Sequence, residues 1–192
     1  MSLGMADVTV FYEATPNPQS MKFVLTAQIA NENVNFTKPE ETTRSPLARK
    51  LFGFPWAAGI FIGPNFVTVT KQEWVEWEIL ADPLAELIKE HVLSGEPVLV
   101  AAEVGQESTA NDDEPNDSPI IRQIKQILRE EIRPAVAMDG GDISFVKYEA
   151  GCVYLEMKGA CSGCPSSMIT LKEGIEVRLK DRIPEIKEVF SI

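Results

Sequence analysis

Two cysteines, Cys161 and Cys164, are the residues of this chain best suited to metal or redox chemistry. Two residues separate them in segment 159–165 (GACSGCP). In a loop that enters a helix, this spacing lets both sulfurs point toward one centre, and Gly163 permits the turn. Backbone N–H groups in the first helical turn favour thiolate, so we expect a lowered thiol pKa. A thiolate can ligate a metal or attack a disulfide, so the segment indicates reactive sulfur without selecting the reaction.

The rest of the sequence offers few further thiol or imidazole ligands. Cys152 is the only other cysteine, and His91 is the only histidine. Zinc sites and iron–sulfur clusters normally take four protein ligands. A site closed within one chain is therefore disfavoured, and a metal site would have to be shared by two copies. Three chemistries stay open: an iron–sulfur cluster between two chains, a zinc ion that joins two chains, and thiol–disulfide exchange, which needs only two sulfurs.

The other candidate residues have simpler explanations. We expect Cys152 to be an ordinary residue at the start of a strand, because cysteine commonly behaves as a small hydrophobic residue. We expect His91 to be a surface residue of a helix. Asp139 and Asp142 flank a pair of glycines. They are expected to form a turn by bonding to nearby backbone groups, so we do not assign them acid–base chemistry.

Charge is unevenly distributed along the chain. The net charge of −11 argues against a nucleic-acid partner, because phosphate binding requires clustered Lys and Arg. Residues 101–117 contain six acidic residues and no basic one, which is more than half of that excess. They also have one branched aliphatic residue and no aromatic residue. We therefore predict a flexible acidic linker at 101–117 between two small domains, residues 6–100 and residues 118–192.

The first domain is predicted to have an α+β fold. Strand patterns occur at residues 21–27 and 34–37, and residues 59–62 and 66–70 read as a hairpin. Ser45 followed by Pro46 is typical of a helix start. A second helix is predicted from apolar residues at helical spacing near position 88, and it should end at Gly95.

The second domain is predicted to have the order α-β-β-α-β. Its first helix begins at Ser118-Pro119, and its two strands lie near 143–148 and 152–158. Pro165 should open the second helix, and residues 186–192 should form a closing strand. The paired glycines at 140 and 141 predict a tight connection that uses positive φ.

Cysteine usage and the apolar pattern indicate the cellular setting. Three cysteines do not form a disulfide framework, which favours a reducing compartment. No apolar run approaches the roughly 18–20 residues of a membrane span. The first residues resemble neither a signal peptide nor a transit peptide. We therefore expect a cytoplasmic protein without a membrane partner.

Several segments resemble NifU and Nfu-type proteins. Residues 138–143 (MDGGDI), 159–167 (GACSGCPSS) and 170–176 (TLKEGIE) are similar to the C-terminal domain of those proteins. The first domain resembles their N-terminal domain in four segments: residues 15–18 (TPNP), 45–48 (SPLA), 67–71 (VTVTK) and 94–98 (SGEPV). Together the two resemblances cover nearly the whole chain apart from the predicted linker.

The resemblance implies an iron–sulfur cluster scaffold or carrier, and not an enzyme. Cys161 and Cys164 of two protomers would bind a [4Fe–4S] cluster at the interface of a homodimer. An upstream donor would load the cluster, and apo iron–sulfur proteins would receive it. The alternative function, a CxxC thiol–disulfide oxidoreductase, fits the cysteine pair but leaves the similarity at residues 138–142 unexplained.

Overall fold

The chain forms two units of mixed helix and strand, which confirms the predicted α+β class. A computed structural model describes residues 8–100, 114–162 and 165–192, with the backbone alone at 165–168. The units are Met1–Val104 and Gly105–Ile192. Residues 101–113 of the predicted linker lie outside the described residues. Within the described ranges, no helix combines the length and apolar composition needed to cross a bilayer.

The first unit is built on a five-stranded antiparallel sheet with the order β1-β2-β5-β4-β3. Two α-helices and a 3-10 turn accompany the sheet. The elements in chain order are β1 (Val10–Ala14), β2 (Ser20–Leu25), β3 (Val34–Phe36), the 3-10 turn (Pro39–Arg44), α1 (Pro46–Phe52), β4 (Ala57–Ile62), β5 (Phe66–Lys71) and α2 (Trp77–Leu93). The predicted hairpin is present as β4 and β5, whereas β1 was not predicted.

The helix ends of the first unit follow the predicted signals. Ser45 Oγ accepts a hydrogen bond from the Ala48 N–H (3.0 Å) and donates one to the Val98 carbonyl (2.7 Å). Gly95 follows the end of α2 with φ +75°, a left-handed conformation that suits glycine. Local capping interactions therefore determine where α1 begins and where α2 ends.

The prediction that His91 is a surface residue is wrong. His91 lies in α2 and is only 2% exposed. Lys50 Nζ lies 3.1 Å from its Nδ1, and its Nε2 lies 3.3 Å from the Pro97 carbonyl. Lysine can only donate, so Nδ1 accepts and the neutral ring carries its proton on Nε2. His91 is thus a hydrogen-bonded core residue of the first unit, remote in sequence from the cysteine pair.

The second unit has the predicted α-β-β-α-β order. Its first helical segment contains one π-helical turn. The elements are α3 (Pro119–Ile127), the π turn (Leu128–Ile132), α4 (Arg133–Met138), β6 (Gly141–Glu149), β7 (Cys152–Gly159), α5 (Pro165–Arg182) and β8 (Glu188–Ser191). The sheet order is β6-β7-β8, with β6 antiparallel and β8 parallel to β7.

Strand β7 buries one face and turns the other outward. Val153, Leu155 and Met157 lie in the core of the second unit, as their alternation predicts. Because β6 and β7 are antiparallel, the first residue of β6, Gly141, pairs with the last residue of β7, Gly159. The sheet therefore brings residues 138–142 next to the turn that contains Cys161.

Candidate metal centre

Cys161 lies in a short turn between β7 and α5. The turn follows Gly159, whose φ is +68°. The Gly159 carbonyl accepts hydrogen bonds from the Ser162 N–H (3.1 Å) and from Ser162 Oγ (2.9 Å). The Ala160 N–H donates to the Gly140 carbonyl at 3.2 Å. These bonds close the turn and attach it to the segment that precedes β6.

The two neighbouring glycines of that segment serve different purposes. Gly140 has φ +81°, so the predicted left-handed turn is present there. Gly141 instead belongs to β6, and it packs directly against the cysteine. A Cβ atom built on Gly141 would lie 2.6 Å from Cys161 Sγ and 2.7 Å from the Lys158 carbonyl oxygen. The sequence pattern predicts backbone freedom at both glycines, whereas the close approach of Cys161 to Gly141 depends on the fold.

Asp142 forms an ion pair in addition to the expected local backbone contact. Its carboxylate accepts hydrogen bonds from Arg133 Nε and from one terminal nitrogen of the same guanidinium group, both at 2.8 Å. It also accepts from the Ile143 N–H at 2.8 Å. Asp139 directly follows α4 and lies within the turn, as predicted. Arg133 was missed because no local sequence signal pairs a helix residue with a strand residue.

The expectation of a lowered thiol pKa is wrong for Cys161. The side chain is buried, with 5% of the residue exposed. The pKa of the thiol is raised to about 12, first by burial and then by the negative charges of Asp139 and Asp142. Without metal, Cys161 is therefore a protonated thiol at neutral pH. Binding of a metal at this sulfur must be accompanied by release of its proton.

Cys164 lies outside the described residues. Helix α5 begins at Pro165, directly after Cys164, as the sequence predicts. The two cysteines therefore occupy the connection between β7 and α5. The prediction that both sulfurs face one metal centre rests on the position of Cys161 and on the two residues that separate it from Cys164.

Cys152 is far from Cys161. It is the first residue of β7, whereas Cys161 follows the last residue, Gly159. At about 3.3 Å per strand residue, Cys152 and Gly159 are roughly 23 Å apart. Cys152 is half-buried and lies on the face of β7 opposite Val153. It cannot ligate the same metal ion as Cys161 of its own chain.

The described residues of one chain do not provide a complete metal site. In the ranges that the structure covers, no three side chains of the His, Cys, Asp and Glu types are grouped so that they could hold a metal ion. Asp139 and Asp142 act on Cys161 through charge without forming such a group with it. A metal centre at Cys161 therefore needs Cys164 and further ligands from outside the described part of this chain.

Comparison with known proteins identifies both domains. Residues 10–95 match the family described as "Scaffold protein Nfu/NifU N terminal", and residues 124–190 match the "NifU-like domain" family. Both matches lie within the domain boundaries predicted from composition and charge. Neither family match includes residues 96–123, which contain the predicted linker.

Several curated relatives are similar along most of the chain. The "NFU1 iron-sulfur cluster scaffold homolog, mitochondrial" of Drosophila erecta is 39% identical over 191 residues, which cover 98% of this chain and 66% of the relative. The proteins of the same name from Drosophila sechellia and Homo sapiens are each 40% identical, and the matches cover 93% of this chain and 62% and 69% of the relatives. The chain thus spans about two thirds of the length of these relatives.

The expectation of a cytoplasmic protein is contradicted by these relatives, because each of them is named as mitochondrial. The small number of cysteines favoured a reducing compartment. Thiols are kept reduced in the interior of a mitochondrion as well as in the cytoplasm, so cysteine content does not distinguish these two compartments.

Both domain matches and the identity of about 40% along most of the chain agree with the resemblance seen in the cysteine segment. The chain belongs to the Nfu-type family of iron–sulfur cluster scaffold proteins.

Proposed function

We propose that two copies of this chain bind one [4Fe–4S] cluster through Cys161 and Cys164 of each copy, and that the dimer delivers the cluster to apo iron–sulfur proteins. An upstream donor would load it. The chemistry required is exchange of ligands at iron, so we propose a carrier and not an enzyme. The relatives' names as iron–sulfur cluster scaffolds support this role.

The main support from the structure is that the site in one chain is incomplete. Cys161 is held in a tight turn, and the described residues of the same chain do not group three ligands around a metal. Cys152 is roughly 23 Å away along β7. Four thiolate ligands are usual for a [4Fe–4S] cluster, so two CxxC segments from two chains meet the requirement.

A shared site explains how the cargo could be released. Four ligands in one rigid chain would hold a cluster firmly, whereas a site divided between two chains opens when the chains separate. An acceptor cysteine can then reach the iron. Because only the dimer completes the site, cluster binding should promote dimerisation by mass action. We therefore propose that the cluster-free chain is mainly monomeric.

The environment of Cys161 argues against the alternative function in thiol–disulfide exchange. An attacking cysteine needs to be partly exposed and to have a lowered pKa. Cys161 is 5% exposed, and its thiol pKa is raised to about 12. A buried, protonated thiol is a poor nucleophile toward an external disulfide. Metal ligation remains possible because the metal itself displaces the proton.

Anaerobic reconstitution with iron and sulfide tests the proposed function. We expect broad visible absorbance near roughly 400 nm and about two irons per chain, which is half of a four-iron cluster. Cys161→Ser and Cys164→Ser should each abolish this absorbance. A colourless protein that binds zinc, or turnover of disulfides that needs Cys161, would contradict the proposal.

A further inference from the structure

We propose that Gly141 positions the Cys161 sulfur for metal ligation, and that the Arg133–Asp142 ion pair fixes Gly141 in place. The inference rests on the proposed role of Cys161 as a cluster ligand. It assigns functions to residues of β6 and α4 that lie outside the cysteine segment.

The space beside the sulfur exists only because residue 141 has no side chain. A Cβ on Gly141 would lie 2.6 Å from Cys161 Sγ and 3.2 Å from Cys161 Cβ. Ordinary van der Waals contact for a Cβ begins at 3.4 Å, so the sulfur would have to retreat by about 0.8 Å. Metal–ligand distances are specific to within about 0.2 Å. A displacement of that size is therefore large enough to disturb ligation.

The backbone around Gly141 cannot easily absorb the clash. The same Cβ would lie 2.7 Å from the Lys158 carbonyl oxygen, which belongs to the paired strand β7. Gly141 pairs with Gly159, and Asp142 pairs with Lys158 in the β6–β7 ladder. Movement of the Cys161 side chain can relieve the contact with the sulfur, whereas the contact with the Lys158 oxygen can be relieved only by a backbone shift that disturbs this pairing. Gly141→Ala should therefore displace the sulfur and also strain the start of β6.

The Arg133–Asp142 ion pair holds the start of β6, and with it Gly141, beside the Cys161 sulfur. Asp142 directly follows Gly141, and its side chain is 6% exposed. The Arg133 guanidinium group contacts both carboxylate oxygens at 2.8 Å. Two parallel hydrogen bonds fix both distance and orientation, so they connect the start of β6 rigidly to the start of α4.

The test compares Gly141→Ala with Gly174→Ala in the full chain. Gly174 lies in α5, and a Cβ there meets no heavy atom within 4 Å, so it is a matched control. After anaerobic reconstitution, iron loss to a chelator is timed for each dimer. We expect at least tenfold faster loss from Gly141→Ala and an unchanged rate from Gly174→Ala. Equal rates in Gly141→Ala and the wild type would overturn the inference.

A second readout needs no cluster. In a Cys152→Ser, Cys164→Ser background, Cys161 is the only thiol, and its alkylation rate reports the position and exposure of the sulfur. The contribution of global unfolding to the alkylation rate is measured separately and subtracted. Gly141→Ala should raise the remaining rate at least tenfold. An unchanged rate would overturn the inference. If the wild type takes up no cluster but Gly141→Ala still changes this rate, the proposed function fails while the positioning effect stands.

Arg133→Gln tests the second half of the inference and also covers the case in which Gly141→Ala does not fold. This substitution removes the charge and one arm of the bidentate contact without touching Cys161 or Gly141. We expect a threefold or larger rise in the alkylation rate of Cys161, again corrected for global unfolding. Arg133→Lys, which keeps the charge, should recover part of the wild-type rate. A wild-type alkylation rate in Arg133→Gln would show that the ion pair does not position the segment.

Discussion

Cys152 begins strand β7 and Cys161 lies two residues beyond the end of that strand, so these two cysteines of one chain cannot meet at one metal ion. The separation follows directly from the length of β7, Cys152–Gly159. A mixed site that uses all three cysteines of a chain is thereby excluded by distance, roughly 23 Å along the strand.

The first prediction is that Cys152→Ser retains the cluster. Its side chain points away from the core face of β7 and lies far from the proposed site, so iron content and visible absorbance should match the wild type. Cys161→Ser is the matched substitution beyond the other end of β7 and should lose both signals. Loss of more than half of the iron in folded Cys152→Ser would contradict this separation.

The second prediction concerns alkaline stability without metal. The folded-state pKa of Cys161 is raised to about 12, above the roughly 8.5 of an unfolded thiol. Burial of this thiol therefore contributes stability that is fully present below pH 8.5 and is lost as pH rises toward 12. The stability advantage of the wild type over Cys161→Ala should narrow by up to about 1.4 kcal/mol per pH unit in this range.

Far-UV circular dichroism of denaturant unfolding can measure this difference, because it reports the second unit as well as the first. Subtracting the Cys161→Ala curve removes the titration of tyrosines and lysines that both proteins share. A wild-type advantage that stays constant between pH 8 and 11 would show that the Cys161 thiol is not buried as described.

The third prediction is that the first unit loses stability in mild acid. The pKa of His91 is lowered by burial and by the charge of Lys50, while the Pro97 carbonyl and Glu96 act in the opposite direction. The folded unit thus binds this proton less well than the unfolded chain. The neutral, buried His91 ring therefore contributes stability that is present above about pH 6.5, and this stability is lost as pH falls below that value.

Tryptophan fluorescence reports this effect selectively, because Trp56, Trp74 and Trp77 all belong to the first unit. The free energy of unfolding should fall between pH 7 and pH 5 in the wild type. The loss should be smaller in His91→Gln, which has no titrating ring. An identical pH dependence in both proteins would contradict the assignment of His91 as the responsible group.

The fourth prediction concerns the turn between β6 and β7. Ala150 has φ +52° and Gly151 has φ +88°, so both residues of this two-residue connection are left-handed. A left-handed alanine costs about 1 kcal/mol, and Asn-Gly is the preferred pair for such a turn. Ala150→Asn should therefore stabilise the second unit by about 0.5–1 kcal/mol in denaturant unfolding.

Gly151→Ala is the matched control for this turn. A Cβ at Gly151 would lie 3.0 Å from two side-chain carbons of Lys187, in a backbone conformation that suits glycine. It should therefore destabilise the unit that Ala150→Asn stabilises. Destabilisation by Ala150→Asn would mean that the turn does not adopt the left-handed geometry.

The fold was largely predictable because its signals are local. Ser45 and Ser118 cap helices through their own hydroxyl groups. The alternation of Val153 and Leu155 identifies the buried face of β7. Strand β1 was missed because four of its five residues are exposed at the edge of a sheet, so it shows no alternation of buried and exposed residues.

The candidate site was predictable only in part, because its remaining features depend on contacts between distant segments. The spacing of Cys161 and Cys164 is visible in the sequence. A side chain at position 141 would clash with Cys161, which lies in a turn twenty residues later in the sequence. The pairing of Arg133 with Asp142 and the raised pKa of Cys161 depend on how α4 and β6 pack, which no local pattern encodes.

The molar mass of the cluster-loaded protein tests the central claim most directly. Anaerobic size-exclusion chromatography with light scattering, combined with iron analysis of the same peak, gives mass and iron content together. We predict a species of twice the 21.2 kDa chain mass, with about two irons per chain. The cluster-free chain should elute mainly as a monomer. A cluster-loaded monomer with four irons would contradict a site shared between two copies.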